Sequence, residues 1–93
     1  MARINLEEAI CLAEFVAIDM EYSSIDGFLL RNHLSREDEA EFAASFQSNL
    51  DEIAALLRTQ EEKDKFRQMA EPITQKFKKS LAAHAAAGVA GSL

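Results

Sequence analysis

Residues 9–20 read A-I-C-L-A-E-F-V-A-I-D-M, and ten of these twelve positions are apolar. A surface helix needs one apolar stripe a little over ~100° wide; a helix apolar nearly all round is covered on several sides. The only acidic line along it is Glu7, Glu14 and Glu21, spaced by sevens, with Asp19 as an outlier. The segment therefore asks for more cover than one neighbouring helix gives.

The remaining pattern is also helical, with no sustained period-2 alternation. Asn5 followed by Glu8 predicts a capping box and the start of the first helix, which should run to about Met20 or Tyr22. Ser23 and Ser24 are placed to break it. Ile25, Phe28 and Leu29 then suggest a short helix over about 24–34, weakened by Gly27. Ser35, ahead of Arg-Glu-Asp-Glu, is a strong N-cap, because acids in a first turn complement the helix dipole. Phe42, Phe46, Leu50, Ile53 and Leu57 make one narrow seam, suited to a single antiparallel or dimeric partner. Thr59 and Glu62 spell another capping box. The helix it opens carries Phe66, Met69 or Ala70, Ile73, Phe77 and Leu81 at steps of three or four. Pro72 lacks an N–H and clashes with the carbonyl of Gln68, so a kink or a restart is expected there. Proline's welcome at a first helical position favours the restart. Gly88 should end the helix.

The expected fold is all-α: a small three- to four-helix bundle. An antiparallel helical hairpin, about 35–58 and 60–87 and kinked at Pro72, packs on the apolar N-terminal helix. Residues 1–87 form a single domain, and 88–93 a frayed tail.

With 93 residues the core is thin, and chains of this size often need a metal, a disulfide or a second subunit. Cys11 is the only cysteine, which argues for a reducing compartment and a cytoplasmic location. Its place in the apolar run suggests a small buried hydrophobe. There is no Glu-x-x-His and no histidine pair at ligand spacing, so neither metal nor cofactor is expected. The apolar run is shorter than the ~20 residues of a membrane span. It follows Glu7 and Glu8 rather than a basic region, unlike a secretory leader. Self-association is the remaining staple. Its surface is expected on Ile10, Leu12, Ala13, Phe15, Val16, Ile18 and Met20, with the Glu7–Glu14–Glu21 line as its wet edge.

Charge adds an asymmetry to this picture. Residues 1–62 hold 14 acids and 4 bases, whereas 63–93 hold 2 acids and 6 bases. The last helix should therefore lie against acidic faces of the others, within one chain or across a dimer. The alternative is that the basic 63–79 segment meets an anionic partner, with Lys65, Lys76, Lys78 and Lys79 as contacts. A pI of 4.8 and the absence of Trp argue against nucleic acid as that partner.

No local arrangement of nucleophile, base and orienter is visible, and the glycines at 27, 88 and 91 form no phosphate-cradling loop. His33 stands where histidines usually meet helix-end carbonyls. The stretch Ile25-Asp26-Gly27-Phe28-Leu29-Leu30 looks like the I-D-x-x-L-L of helical chorismate mutases. Their dicarboxylate substrate demands several converging cations, and the first two-thirds of the chain offers only Arg3, Arg31, Arg36 and Arg58. Residues 83–91 are similar to the A-H-x-L-K-G-x-A motif of histidine phosphotransfer domains. That resemblance implies His84 as phospho-acceptor, but Ala87 occupies the position of the supporting lysine. The chain thus reads as a non-enzyme: a small cytoplasmic regulator, adaptor or inhibitor that acts as a helical homodimer and binds an unidentified protein. Its alternatives are a nucleic-acid-associated regulator and a degenerate phosphotransfer-like module.

Overall fold

A computed structural model describes the backbone of residues 4–91 and the side chains of residues 4–86. The protein is all-helical, with no strand among the described residues. In order come α1 (Leu6–Asp19), a π-helical segment (Met20–Ile25), α2 (Asp26–Leu29), α3 (Arg36–Ala55) and α4 (Gln60–Gly91). The first three follow one another without a gap, so the chain makes three helical rods.

Each rod starts on a side-chain cap that satisfies otherwise free backbone N–H groups. The Glu8 N–H donates to Asn5 Oδ1 at 2.8 Å, and the Asn5 N–H donates back to Glu8 Oε1 at 3.1 Å. Ser35 and Asp38 repeat this reciprocal pair, with the Asp38 N–H on Ser35 Oγ and the Ser35 N–H on Asp38 Oδ2, both at 3.1 Å. At α4 the Glu62 N–H donates to Thr59 Oγ1 at 3.1 Å.

The first rod does not break at Ser23 and Ser24. It continues as a π turn, and Ser23 Oγ donates to Asp19 Oδ1 at 3.4 Å. The cause lies in the spacing of Met20 and Ile25, both buried. Five residues of α-helix would set them ~140° apart, whereas the wider turn of a ladder closing from i to i+5 brings them much closer to one face. The π turn thus turns Ile25 into the core. Asn49 Nδ2 on α3 donates to Met20 Sδ at 3.7 Å, tying that turn to α3. The helical part of the following segment is shorter than the sequence pattern suggests. It stops at Leu29, and the Arg31 and Asn32 N–H groups close on the Phe28 carbonyl.

α4 also departs from expectation. It does not restart at Pro72, but runs as one helix from Gln60 to Gly91. Pro72 and Gln68 are both exposed, so the break in the hydrogen-bond ladder falls on the solvent side of the helix. The helix passes Gly88, where the sequence pattern ends it; Ser92 and Leu93 lie outside the described residues.

One core joins the three rods. Ala9, Ala13, Met20 and Ile25 come from the first, Phe46, Leu50, Ile53 and Ala54 from α3, and Phe66, Ala70, Phe77 and Leu81 from α4. Leu34 and Leu57 seal it from the two connections. Phe46 stacks on Phe77 with ring centroids 4.4 Å apart, and Phe28 meets Phe42 edge-on at 5.7 Å. Fully burying each large side chain contributes about 1.5–3 kcal/mol. Of the two alternatives at the α4 seam, Ala70 is buried and Met69 faces out. Thr74 is the one buried polar residue among those described; its hydroxyl donates to the Ala70 carbonyl at 3.1 Å.

Candidate functional site

Helix α1 is built inside out. Ala9 and Ala13 are fully buried, whereas Phe15 is 64% exposed, Ile18 56% and, on the following π turn, Tyr22 71%. The alanines let α1 approach α3 and α4 closely. The same register turns the largest side chains to water. A monomer rarely leaves such a contiguous apolar strip uncovered, and aromatic residues concentrate at protein interfaces.

The expected self-association set divides accordingly. Ala13 and Met20 belong to the chain's own core, and Ile10 and Val16 are half-buried against it. Leu12, Phe15 and Ile18 are exposed. Cys11 is exposed as well, contrary to the expectation of a buried hydrophobe. Its position is ~200° round the helix from Ala13, which places it on the outer face. Tyr22 and Leu30 are exposed members of the same rod that the apolar run did not include. The signal for Tyr22 is spacing: Cys11, Phe15, Ile18 and Tyr22 step by 4, 3 and 4, a straight strip on a helix.

Beside this strip a groove of about 320 Å³ runs between α1 and α4. Ala17, Ile18, Pro72, Ile73 and Phe77 give it apolar walls, and Glu14, Glu21 and Lys76 give it a charged rim. The basic residues of α4 do not all share one side. Lys76 lines this groove next to α1, whereas Lys78 lines another on the α3 side with Arg36 and Glu39. Lys65 Nζ lies 3.3 Å from Glu61 Oε1 in an exposed ion pair, and Lys79 is exposed.

His33 is exposed in the connection before Ser35, and it is the Asn32 amide that reaches the Phe28 carbonyl, at 3.5 Å. His84 sits half-buried on α4. The rest of the motif around it, from Ala87 onward, has side chains outside the described residues. Among the described residues no group of three or more His, Cys, Asp or Glu is arranged to hold a metal ion. No described helix is long and apolar enough to cross a membrane. No family model, curated protein or solved structure matches the chain.

Proposed function

We propose that this chain is a protein–protein interaction module of the cytoplasm, a regulator, adaptor or inhibitor that works as a helical homodimer. Its working unit is an antiparallel hairpin of α3 and α4 packed on α1, and its contact surface is the outer face of α1. The observation that carries this reading is the inverted helix: alanines turned inward, Phe15, Ile18 and Tyr22 turned to water. A single-chain fold has no use for that arrangement, because burying those side chains would stabilise it by about 1.5–3 kcal/mol each. The distribution of bases favours this reading over nucleic acid, since Lys76 and Lys78 lie on different sides of α4 and each borders a glutamate.

Light scattering on the intact chain tests the proposal. The expected mass is near twice 10.3 kDa at micromolar concentration, falling to the monomer mass in Phe15→Asp with helicity retained. A monomeric wild-type chain at that concentration sinks the homodimer.

A further inference from the structure

The homodimer reading leaves open which surfaces meet, and charge decides between the two simplest ways. Residues 4–30 carry six acids (Glu7, Glu8, Glu14, Asp19, Glu21 and Asp26) and neither Lys nor Arg. Laying α1 on α1 of a second copy would set one acidic rim against another, and like charges brought together at an interface oppose association. The complementary surface lies next door. On α4 the residues Lys65, Met69, Pro72, Lys76 and Lys79 step by 4, 3, 4 and 3. At ~100° per residue they share a strip ~80° wide. All five are exposed, and Met69 leaves half its surface to water. Pro72 and Lys76 face the same groove as Ile18, Glu14 and Glu21. One side of the molecule therefore presents an apolar strip with acidic rims beside an apolar strip with basic flanks.

We propose that two copies dock about a two-fold axis running along the α1–α4 groove, so that α1 of each lies on α4 of the other. Such an interface is isologous and matches acid to base twice. The axial register is also set. Met20 meets Asn49 and Phe28 meets Phe42, so the first rod advances as α3 recedes. Ala43 shares a groove with Lys78 and Leu81, and Leu50 shares one with Phe66 and Ala70, so α4 likewise advances as α3 recedes. Thus α1 and α4 point the same way. A two-fold axis along them leaves height unchanged, and Ile18 is level with Pro72 and Ile73 within one chain. Across the interface Ile18 therefore meets the second copy's Pro72, and Phe15, one turn lower, meets its Met69. Glu21 comes level with its Lys76, and Glu14 lies about one turn from its Lys65.

This arrangement rests on the homodimer reading, and the test separates the two. One variant reverses the α1 rim (Glu14→Lys with Glu21→Lys); the other reverses the α4 strip (Lys76→Glu with Lys79→Glu). Sedimentation of each alone should show dimerisation weakened by more than about tenfold, with circular dichroism unchanged. An equimolar mixture should regain the dimer, because the reversed α1 of one chain then faces the reversed α4 of the other. Mixing leaves contacts within each chain as they were, so recovery reports the interface alone. If the α4 variant dimerises like wild type, or mixing restores nothing, the arrangement is overturned while the homodimer stands. If the wild-type chain is itself monomeric, both fall.

Discussion

Helices α1 and α3 use opposite rules within one core. On α3 the bulk points inward: Phe46, Leu50 and Ile53 are buried, and Glu41, Gln47, Ser48, Asp51 and Glu52 face water. On α1 the inward positions hold Ala9 and Ala13, while Phe15 and Ile18 face out. Helix α3 spends its apolar surface on the fold. Helix α1 adds only half-buried Leu6, Ile10 and Val16 to the close approach its alanines allow and keeps Phe15 and Ile18 free. A stability assay should therefore be sensitive to large residues on α3 and α4, and an association assay to large residues on α1.

The widest gap is expected between two phenylalanines. Phe77 is 1% exposed and stacks on Phe46, so Phe77→Ala should cost about 3–5 kcal/mol through lost burial and the cavity left behind. That is a large share of the ~5 kcal/mol at the lower end of the stability expected for a chain of 93 residues. Phe15→Ala should change the stability of the dissociated monomer by less than about 0.5 kcal/mol, as at an ordinary surface site. Its effect should appear in the dissociation constant instead. Urea unfolding at a concentration low enough to keep the chain monomeric makes the comparison. Equal losses for the two variants would mean that Phe15 belongs to the core.

A middle-sized effect is expected where α1 meets the core. Ala13 has no exposed surface and stands among larger neighbours from the other rods. Ala13→Leu forces extra methylenes into packed space and should destabilise by about 1–3 kcal/mol. The chemically similar Leu12→Ala, one position along on the outer side, should cost less. If Ala13→Leu is neutral, the close approach of α1 is not what the alanines provide.

Much of this contrast can be read from the chain. The three caps at Asn5, Ser35 and Thr59 are local chemistry, written in the residues that make the hydrogen bonds. The α3 seam is legible because one clean stripe leaves one orientation. The α1 run is ambiguous for the converse reason: with apolar residues on every side, hydrophobicity cannot say which side faces in. Size decides it, since Ala9 and Ala13 fit a close helix contact and Phe15 does not. That choice depends on how near α3 and α4 lie, which no local pattern encodes. The π turn was hidden for a similar reason. Met20 and Ile25 are out of phase in any α-helix, and only the demand of a shared core makes the backbone bring them together. Pro72 misleads in the other direction. Its cost is large when the freed carbonyl is buried, and here Gln68 is on the solvent side. At the candidate site the acids and bases were visible, but the pairing of α1 with one edge of α4 needed the fold.

The smallest expected effect lies at the far end of the first rod, and it has the opposite sign. Gly27 sits in α2 with negative φ, and a Cβ built there meets nothing within 4 Å. Gly27→Ala should therefore stabilise the chain by about 0.4–1 kcal/mol, chiefly by removing conformations from the unfolded state. Scanning calorimetry should show a rise of a few degrees in Tm, since about 1 kcal/mol moves a domain of this size by ~4–8 °C. The same variant marks the limit of the contact surface. Gly27 lies in a shallow groove with Tyr22 and Leu30, beyond the Cys11–Tyr22 strip. If the dimer uses that strip and α4, association should be unchanged while Tm rises. A gain in Tm accompanied by weaker association would extend the interface past the π turn to Leu30. The outer face would then differ from the inner one along the whole first rod, rather than along α1 alone.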